Sequence, residues 1–172
     1  PGRAALMSNR DGPRHWLGIY LNDHLAGATA GAELARRVAG SHPDPEHRKR
    51  LAGLAADIAA DRQALLQLMR AAGVPVRGHK ILAGWAAEKA TRLKTGANFL
   101  TRSPLSDLTE LETLYLGIQG KAASWRALLG AAANDGLLDQ QRLRVLLDRT
   151  GDQLAVVEEL RIQVGAGLFS LG

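Results

Sequence analysis

Four long segments, in which apolar or small residues recur every three or four positions, constrain the fold most. This spacing places such residues on one face of an α-helix. The segments predict helices near 15–39, 45–72, 106–132 and 138–165. Only 4% of the chain is aromatic although 46% is hydrophobic, because alanine and leucine dominate. Since residues that favour strands are scarce, we predict an all-α protein.

Prolines, glycines and capping residues mark the ends of these segments. Gly40 is predicted to cap the first helix in a left-handed conformation, and Pro43 prevents its continuation. Asp44 and Pro45 have the order expected for an N-cap followed by the first helical residue. Gly73 ends the second helix. The third helix has two candidate starts: Ser103-Pro104, or Thr109, which has the spacing of a capping box with Glu112.

The connections between the helices predict the topology. Short turns make helices one and two, and helices three and four, antiparallel hairpins. About 33 residues, 73–105, join the hairpins, and they can run along a helix of roughly 40 Å. Helices two and three are therefore predicted to be parallel, with a short helix inside 79–95. Two hairpins joined by one long crossover are the ferritin-like form of the four-helix bundle.

The length and the segment types set the domain organisation. Residues 15–172 are predicted to form a single bundle domain after a flexible segment, residues 1–14. Whether residues 1–6 are native or precede a natural start at Met7 is left open. No apolar run reaches the roughly 20 residues of a membrane span, no signal-peptide pattern is present, and cysteine is absent. We therefore expect a cytoplasmic protein without a membrane partner.

The apolar stripes also predict the core, whose anchors should be Leu21, Ile58, Leu65, Leu111, Ile118, Trp125, Leu154 and Val157. Five glycines fall inside the predicted helices, where each costs roughly 1 kcal/mol relative to alanine; they are Gly27, Gly31, Gly117, Gly120 and Gly151. Close approach of neighbouring helices is the expected reason. A cavity for a small apolar ligand is the alternative.

Three strings resemble an uncharacterised family of bacterial helical proteins that is related to the ferritin-like superfamily. They are YLNDHLAGATAGAELARR (20–37), WAAEKATRLK (85–94) and LYLGIQGKAASWRALL (114–129). The resemblance covers about residues 16–161 and implies no activity. The wider superfamily implies a di-iron or di-manganese site built with Glu-x-x-His pairs. Helices two and four contain no such pair, so no cofactor is expected.

Asp61 is the most suggestive single residue because it lies on the apolar stripe between Ile58 and Leu65. A buried carboxylate must be paired, hydrogen-bonded or bound to a cation. The favoured interpretation places Asp61 at the edge of the stripe, paired with an arginine. A hydrogen bond to Thr150 or His24, or a metal or proton site, are the alternatives. The weak metal-ligand candidates are His24, Asp57, Asp61 and Glu112.

The crossover is strongly basic in a chain whose formal charge is +5. Its weak anion-binding candidates are Arg77, Lys80, Lys89, Arg92 and Lys94. A solvated surface is the favoured interpretation, and weak, salt-dependent binding of nucleic acid or another polyanion is the alternative.

No catalytic or cofactor-binding residue is assigned from the sequence. We expect a non-catalytic, metal-free bundle with a structural or interaction role, which self-associates as a dimer. A degenerate metal-dependent oxidoreductase or metal carrier, and a nucleic-acid or anion-binding module, are the alternatives.

Overall fold

The computed structural model describes residues 12–77, 103–135 and 138–170, and in these residues it contains four α-helices and no strand. The helices are α1 (Pro13–Ser41), α2 (Pro45–Ala71), α3 (Pro104–Asp135) and α4 (Gln140–Phe169). The all-α prediction is confirmed, and each helix lies close to its predicted bounds. None of the four combines the length and the hydropathy of a membrane-spanning segment.

The junction between α1 and α2 follows the sequence signals in part. Asp44 caps α2 as predicted, because its Oδ1 accepts a hydrogen bond from the His47 N–H at 2.9 Å. The predicted left-handed cap at Gly40 is wrong. The helix continues to Ser41, and the His42 N–H donates to the Val38 carbonyl at 3.0 Å. Pro43 follows, and it has no N–H with which to extend the helix.

Gly73 is the predicted end of α2, and its φ of +67° is the only positive φ among the described residues. The start of α3 is Ser103-Pro104, where the Ser106 N–H donates to Ser103 Oγ at 3.3 Å. The capping box at Thr109 is wrong, because Thr109 already lies inside the helix and its hydroxyl donates to the Leu105 carbonyl at 3.1 Å.

Two apolar clusters, one near each end of the bundle, establish the helix directions. The first joins the start of α1, the end of α2, the end of α3 and the start of α4. The second joins the opposite ends of the same helices. Helices α2 and α3 therefore run in the same direction, as predicted. They lie diagonally, because α1 contacts α2 and α3, and α4 contacts the same two helices. The predicted crossover helix lies outside the described residues.

Seven of the eight predicted core anchors are buried, and Trp125 is the largest fully buried side chain among the described residues. Leu154 is not a buried anchor as predicted: it packs against the second cluster but remains partly exposed. Helix α4 is rotated slightly from the phase that an inward Leu154 predicts, so that Gln153 is buried instead. Close helix approach is also wrong for Gly31, Gly117, Gly120 and Gly151: a Cβ added at any of them meets no described atom within 4 Å.

Candidate functional site

A layer of polar side chains separates the two apolar clusters at the middle of the bundle. Helix α2 contributes Asp61, which is only 2% exposed. Helix α3 contributes Lys121, and α4 contributes Arg149 and Gln153. We call these four residues the Asp61 cluster.

Both carboxylate oxygens of Asp61 accept hydrogen bonds within the chain. Oδ2 accepts from Lys121 Nζ at 2.5 Å and from Gln153 Nε2 at 2.9 Å, while Oδ1 accepts from Arg149 Nη2. Lys121 Nζ also donates to Gln153 Oε1. The carboxylate thus joins three helices, and the amide of Gln153 bridges the ammonium and the carboxylate.

Burial dominates the electrostatics of Lys121, whose side chain is 14% exposed. It lowers the pKa of the ammonium because the charged form loses its hydration. The charge of Asp61 and its hydrogen bond to Lys121 raise this pKa, as does the charge of Asp57. The positive charge of Arg149 lowers it further. Lys121 is therefore an ion-paired amine held in a site that disfavours its charge.

The position of each helix in the bundle brings the cluster together. Asp61 lies between Ile58 and Leu65 on the buried face of α2. Helical spacing places Lys121 beside the buried Ile118 and Trp125, and Gln153 is itself buried on the inward face of α4.

The sequence predicted an arginine partner for Asp61, and Arg149 is that partner. The position at the edge of the stripe was wrong, because Asp61 is buried. The alternative partners are wrong as well. The Thr150 hydroxyl donates to the Leu146 carbonyl at 2.7 Å. His24 packs edge-on against Tyr20 at 4.3 Å between ring centroids, and its partial burial lowers its pKa.

Lys121 and Gln153 were not predicted as partners of Asp61, and the predicted arginine was not identified as Arg149. The signal for Lys121 was its spacing of three from Ile118 and four from Trp125. Polar residues at such positions are inward-facing candidates even when the neighbouring stripe is apolar. Gln153 was not predicted to face inward because Leu154, the next residue, was expected on the buried face of α4.

The four metal-ligand candidates do not converge. Asp57 is exposed one turn before Asp61. Glu112 lies on the surface of α3, where its Oε1 is 3.8 Å from Arg161 Nη1. His24 remains beside Tyr20. Within 12–77, 103–135 and 138–170, no three metal-ligating side chains are grouped to hold an ion.

An open groove of about 260 Å³ runs between α2 and α4 beside the cluster. Gln153 lines it together with Asp57 and Asp152. Arg50, which also lines the groove, pairs with Glu159 at 2.6 Å. The groove brings solvent to the outer side of the polar layer.

Of the basic candidates, the described residues include only Arg77; Lys80, Lys89, Arg92 and Lys94 lie outside them. Arg77 lines a small cavity of about 110 Å³ with Arg14 and His15. Asn22 binds the segment that follows α2: its Oδ1 accepts from the Arg77 N–H at 2.8 Å and its Nδ2 donates to the Pro75 carbonyl at 3.2 Å.

No protein-family model matches the chain, and neither does any curated protein or solved structure.

Proposed function

We propose that the protein is a non-catalytic bundle of ferritin-like type, with a structural or interaction role that requires no metal. The observation that carries this proposal is the engagement of both Asp61 oxygens by Lys121, Arg149 and Gln153. In this account the central polar groups hold the helices in register, and function lies at the protein surface.

The energetics of the Asp61 cluster support a structural role over a metal site. A metal ion bound by Asp61 would displace Lys121 and Arg149 from the carboxylate. Arg149, one-third exposed, can turn to solvent, but the mostly buried Lys121 ammonium would be left without its partner and beside the charge of the metal ion. Removing one partner from a buried ion pair costs about 3–5 kcal/mol. Metal coordination by Asp61 would have to overcome a penalty of this size before it gained anything.

The ferritin-like part of the proposal is supported by the helix directions. Parallel α2 and α3, each in an antiparallel hairpin, require a long connection between the ends of the bundle. Metal-binding members of that architecture place carboxylates and imidazoles inward at mid-bundle. We propose that the ion-paired Asp61 cluster takes that central place in this protein.

Elemental analysis of the purified protein, combined with thermal unfolding, tests the metal-free role. We expect metal far below one ion per chain, and a melting temperature that Mn²⁺, Fe²⁺ and Zn²⁺ leave unchanged. Stoichiometric metal that is lost in Asp61→Asn but retained in Asp148→Asn would overturn the proposal. Asp148 is the matched control because it is an exposed aspartate on α4. If Asp61→Asn does not fold, the metal content of the wild type still decides.

A further inference from the structure

The outward face of α3 is unlike an ordinary solvent-facing helix surface. Of the exposed α3 residues whose side chains the structure describes, only Glu112 and Arg126 are charged. Leu116, at 71% exposure, is the most exposed large apolar residue described. Small residues surround it along the helix: Gly117, Gly120, Ala123, Ala127, Gly130 and Ala131. A helix face with so few charges over this length is typical of a surface that packs against another element.

The glycines of this face have no explanation within the described part of the chain. A Cβ at Gly117 or Gly120 would meet nothing within 4 Å. Each glycine nevertheless costs helix stability relative to alanine. Since no described residue packs against these glycines and neither has a positive φ, the close approach of a second molecule would account for the benefit.

The two charges on the face point to a second copy of the same helix. Glu112 and Arg126 lie 14 positions apart, about 21 Å along the helix, and the position midway between them adjoins Gly120. Helical phase places both on the same flank of the small-residue face. In an antiparallel pair centred near Gly120, a two-fold axis brings each Glu112 opposite the Arg126 of the other copy. A self-complementary surface of this kind is what an isologous dimer requires.

Neither charge is strongly committed within its own chain. Among the described residues Arg126 forms no ion pair, whereas Glu112 lies 3.8 Å from Arg161. Arg161 is held by Glu158 at 2.8 Å, so Glu112 can turn to a partner without leaving Arg161 unpaired.

We propose that two copies of this chain pair through the outward faces of α3, antiparallel and centred near Gly120. Leu116 of each copy covers Gly120 and Ala123 of the other, and the Glu112–Arg126 pairs flank the apolar seam. This inference deepens the interaction role proposed above by naming its surface and its partner.

Light scattering over a range of concentrations tests the surface with a matched pair of variants. Gly120→Gln adds a side chain into open space in the monomer but fills the seam of the dimer. Gly151→Gln makes the same change on the exposed face of α4, where a Cβ also meets nothing. We expect the wild type and Gly151→Gln to dimerise alike. Gly120→Gln should stay monomeric over the same concentrations. In dilute solution its melting temperature should equal or exceed that of the wild type.

Charge exchange tests the antiparallel arrangement. Glu112→Arg and Arg126→Glu should each weaken the dimer, because each places like charges opposite one another. The double variant Glu112→Arg/Arg126→Glu should restore the dimer towards wild-type affinity. Failure of the double variant to recover, with all three variants folded by their melting curves, would overturn the two-fold pairing.

The remaining outcomes separate this inference from the proposal on which it rests. If Gly120→Gln dimerises as well as the wild type, the chain self-associates but not through the α3 surface, and the inference is overturned. A monomeric wild type overturns dimerisation, while the metal analysis independently decides the metal-free role. A dilute Gly120→Gln that melts below the wild type overturns the inference, because it indicates that the face is covered by the protein's own chain.

Discussion

Lys121 and Asp61 pair across the diagonal of the bundle, with 2.5 Å between Lys121 Nζ and Asp61 Oδ2. Their helices, α2 and α3, make no close backbone contact with each other. Long side chains at the centre therefore connect two helices that backbone packing leaves apart. A polar layer of this kind penalises helix registers that leave its charges unpaired, and register specification is the best-attested role of buried polar groups.

The pH dependence of stability follows from Lys121, whose pKa is lowered by burial. Between that lowered pKa and the ordinary lysine value of about 10.4, the unfolded chain binds more protons than the folded one. The contribution of Lys121 to the free energy of unfolding therefore rises with pH over this interval. Below this interval Lys121 is charged in both states, and the free-energy cost of burying its ammonium is present in full. Above it Lys121 is neutral in both states, and that cost is absent.

Urea unfolding at a series of alkaline pH values measures this contribution. The free energy of unfolding of the wild type, minus that of Lys121→Met, should increase as the pH approaches about 10.4. Lys49→Met, which removes an exposed lysine from α2, is the matched control. A difference between wild type and Lys121→Met that stays flat or falls with pH would contradict this assignment.

Trp125 should be the most costly apolar residue to truncate. It is 2% exposed and belongs to the apolar cluster that joins all four helices near one end. Trp125→Ala should lower the free energy of unfolding by about 3–5 kcal/mol in chemical denaturation. Trp16→Ala is the control, because Trp16 is 57% exposed and its loss should have little effect. Equal losses in the two variants would show that the inward phase of α3 is wrong.

Trp125→Phe refines the same prediction. The buried Nε1 of Trp125 has no hydrogen-bond partner among the described residues, so phenylalanine removes an unsatisfied donor while it keeps much of the apolar contact. Its cost should be clearly smaller than that of alanine. A phenylalanine variant as unstable as the alanine variant would indicate that Nε1 has a partner in solution.

The start of α4 should depend on Asp139, whose Oδ1 accepts a hydrogen bond from the Arg142 N–H at 3.0 Å. Asp139→Ala should lower the free energy of unfolding by about 1 kcal/mol, since it leaves a backbone donor of the first turn without its cap. Asp139→Asn keeps the acceptor and should lose much less. The prediction fails in denaturant titrations if alanine and asparagine are equivalent.

The fold was predictable from the sequence because its signals are local. The Asp44 cap, Gly73, Pro45 and Pro104 each mark a helix boundary through residues close together in the chain. The parallel direction of α2 and α3 followed from the length of the crossover alone.

The candidate site was less predictable, because it depends on helix rotation. Asp61 was identified on its stripe, and an arginine partner was expected. Leu154 was expected to face inward, but the observed rotation of α4 buries Gln153. The residue that reaches Asp61 is therefore an amide, which bridges the cluster, and not an apolar side chain. Lys121 was overlooked because lysine usually lies at the surface. Only the packing of three helices shows that it reaches Asp61.

A double-mutant cycle on Asp61 and Lys121, measured as the free energy of unfolding, tests the central claim that the Asp61 cluster is a structural ion pair. Asp61→Leu should cost about 3–5 kcal/mol, because it leaves Lys121 and Arg149 without their shared partner. Lys121→Met should cost less, since Asp61 keeps Arg149 and Gln153.

The double variant Asp61→Leu/Lys121→Met should be more stable than Asp61→Leu alone, with a coupling free energy of about 1–3 kcal/mol. The remaining cation, Arg149, is one-third exposed and can turn to solvent. Additive losses, or an Asp61→Leu variant as stable as the wild type, would contradict the account.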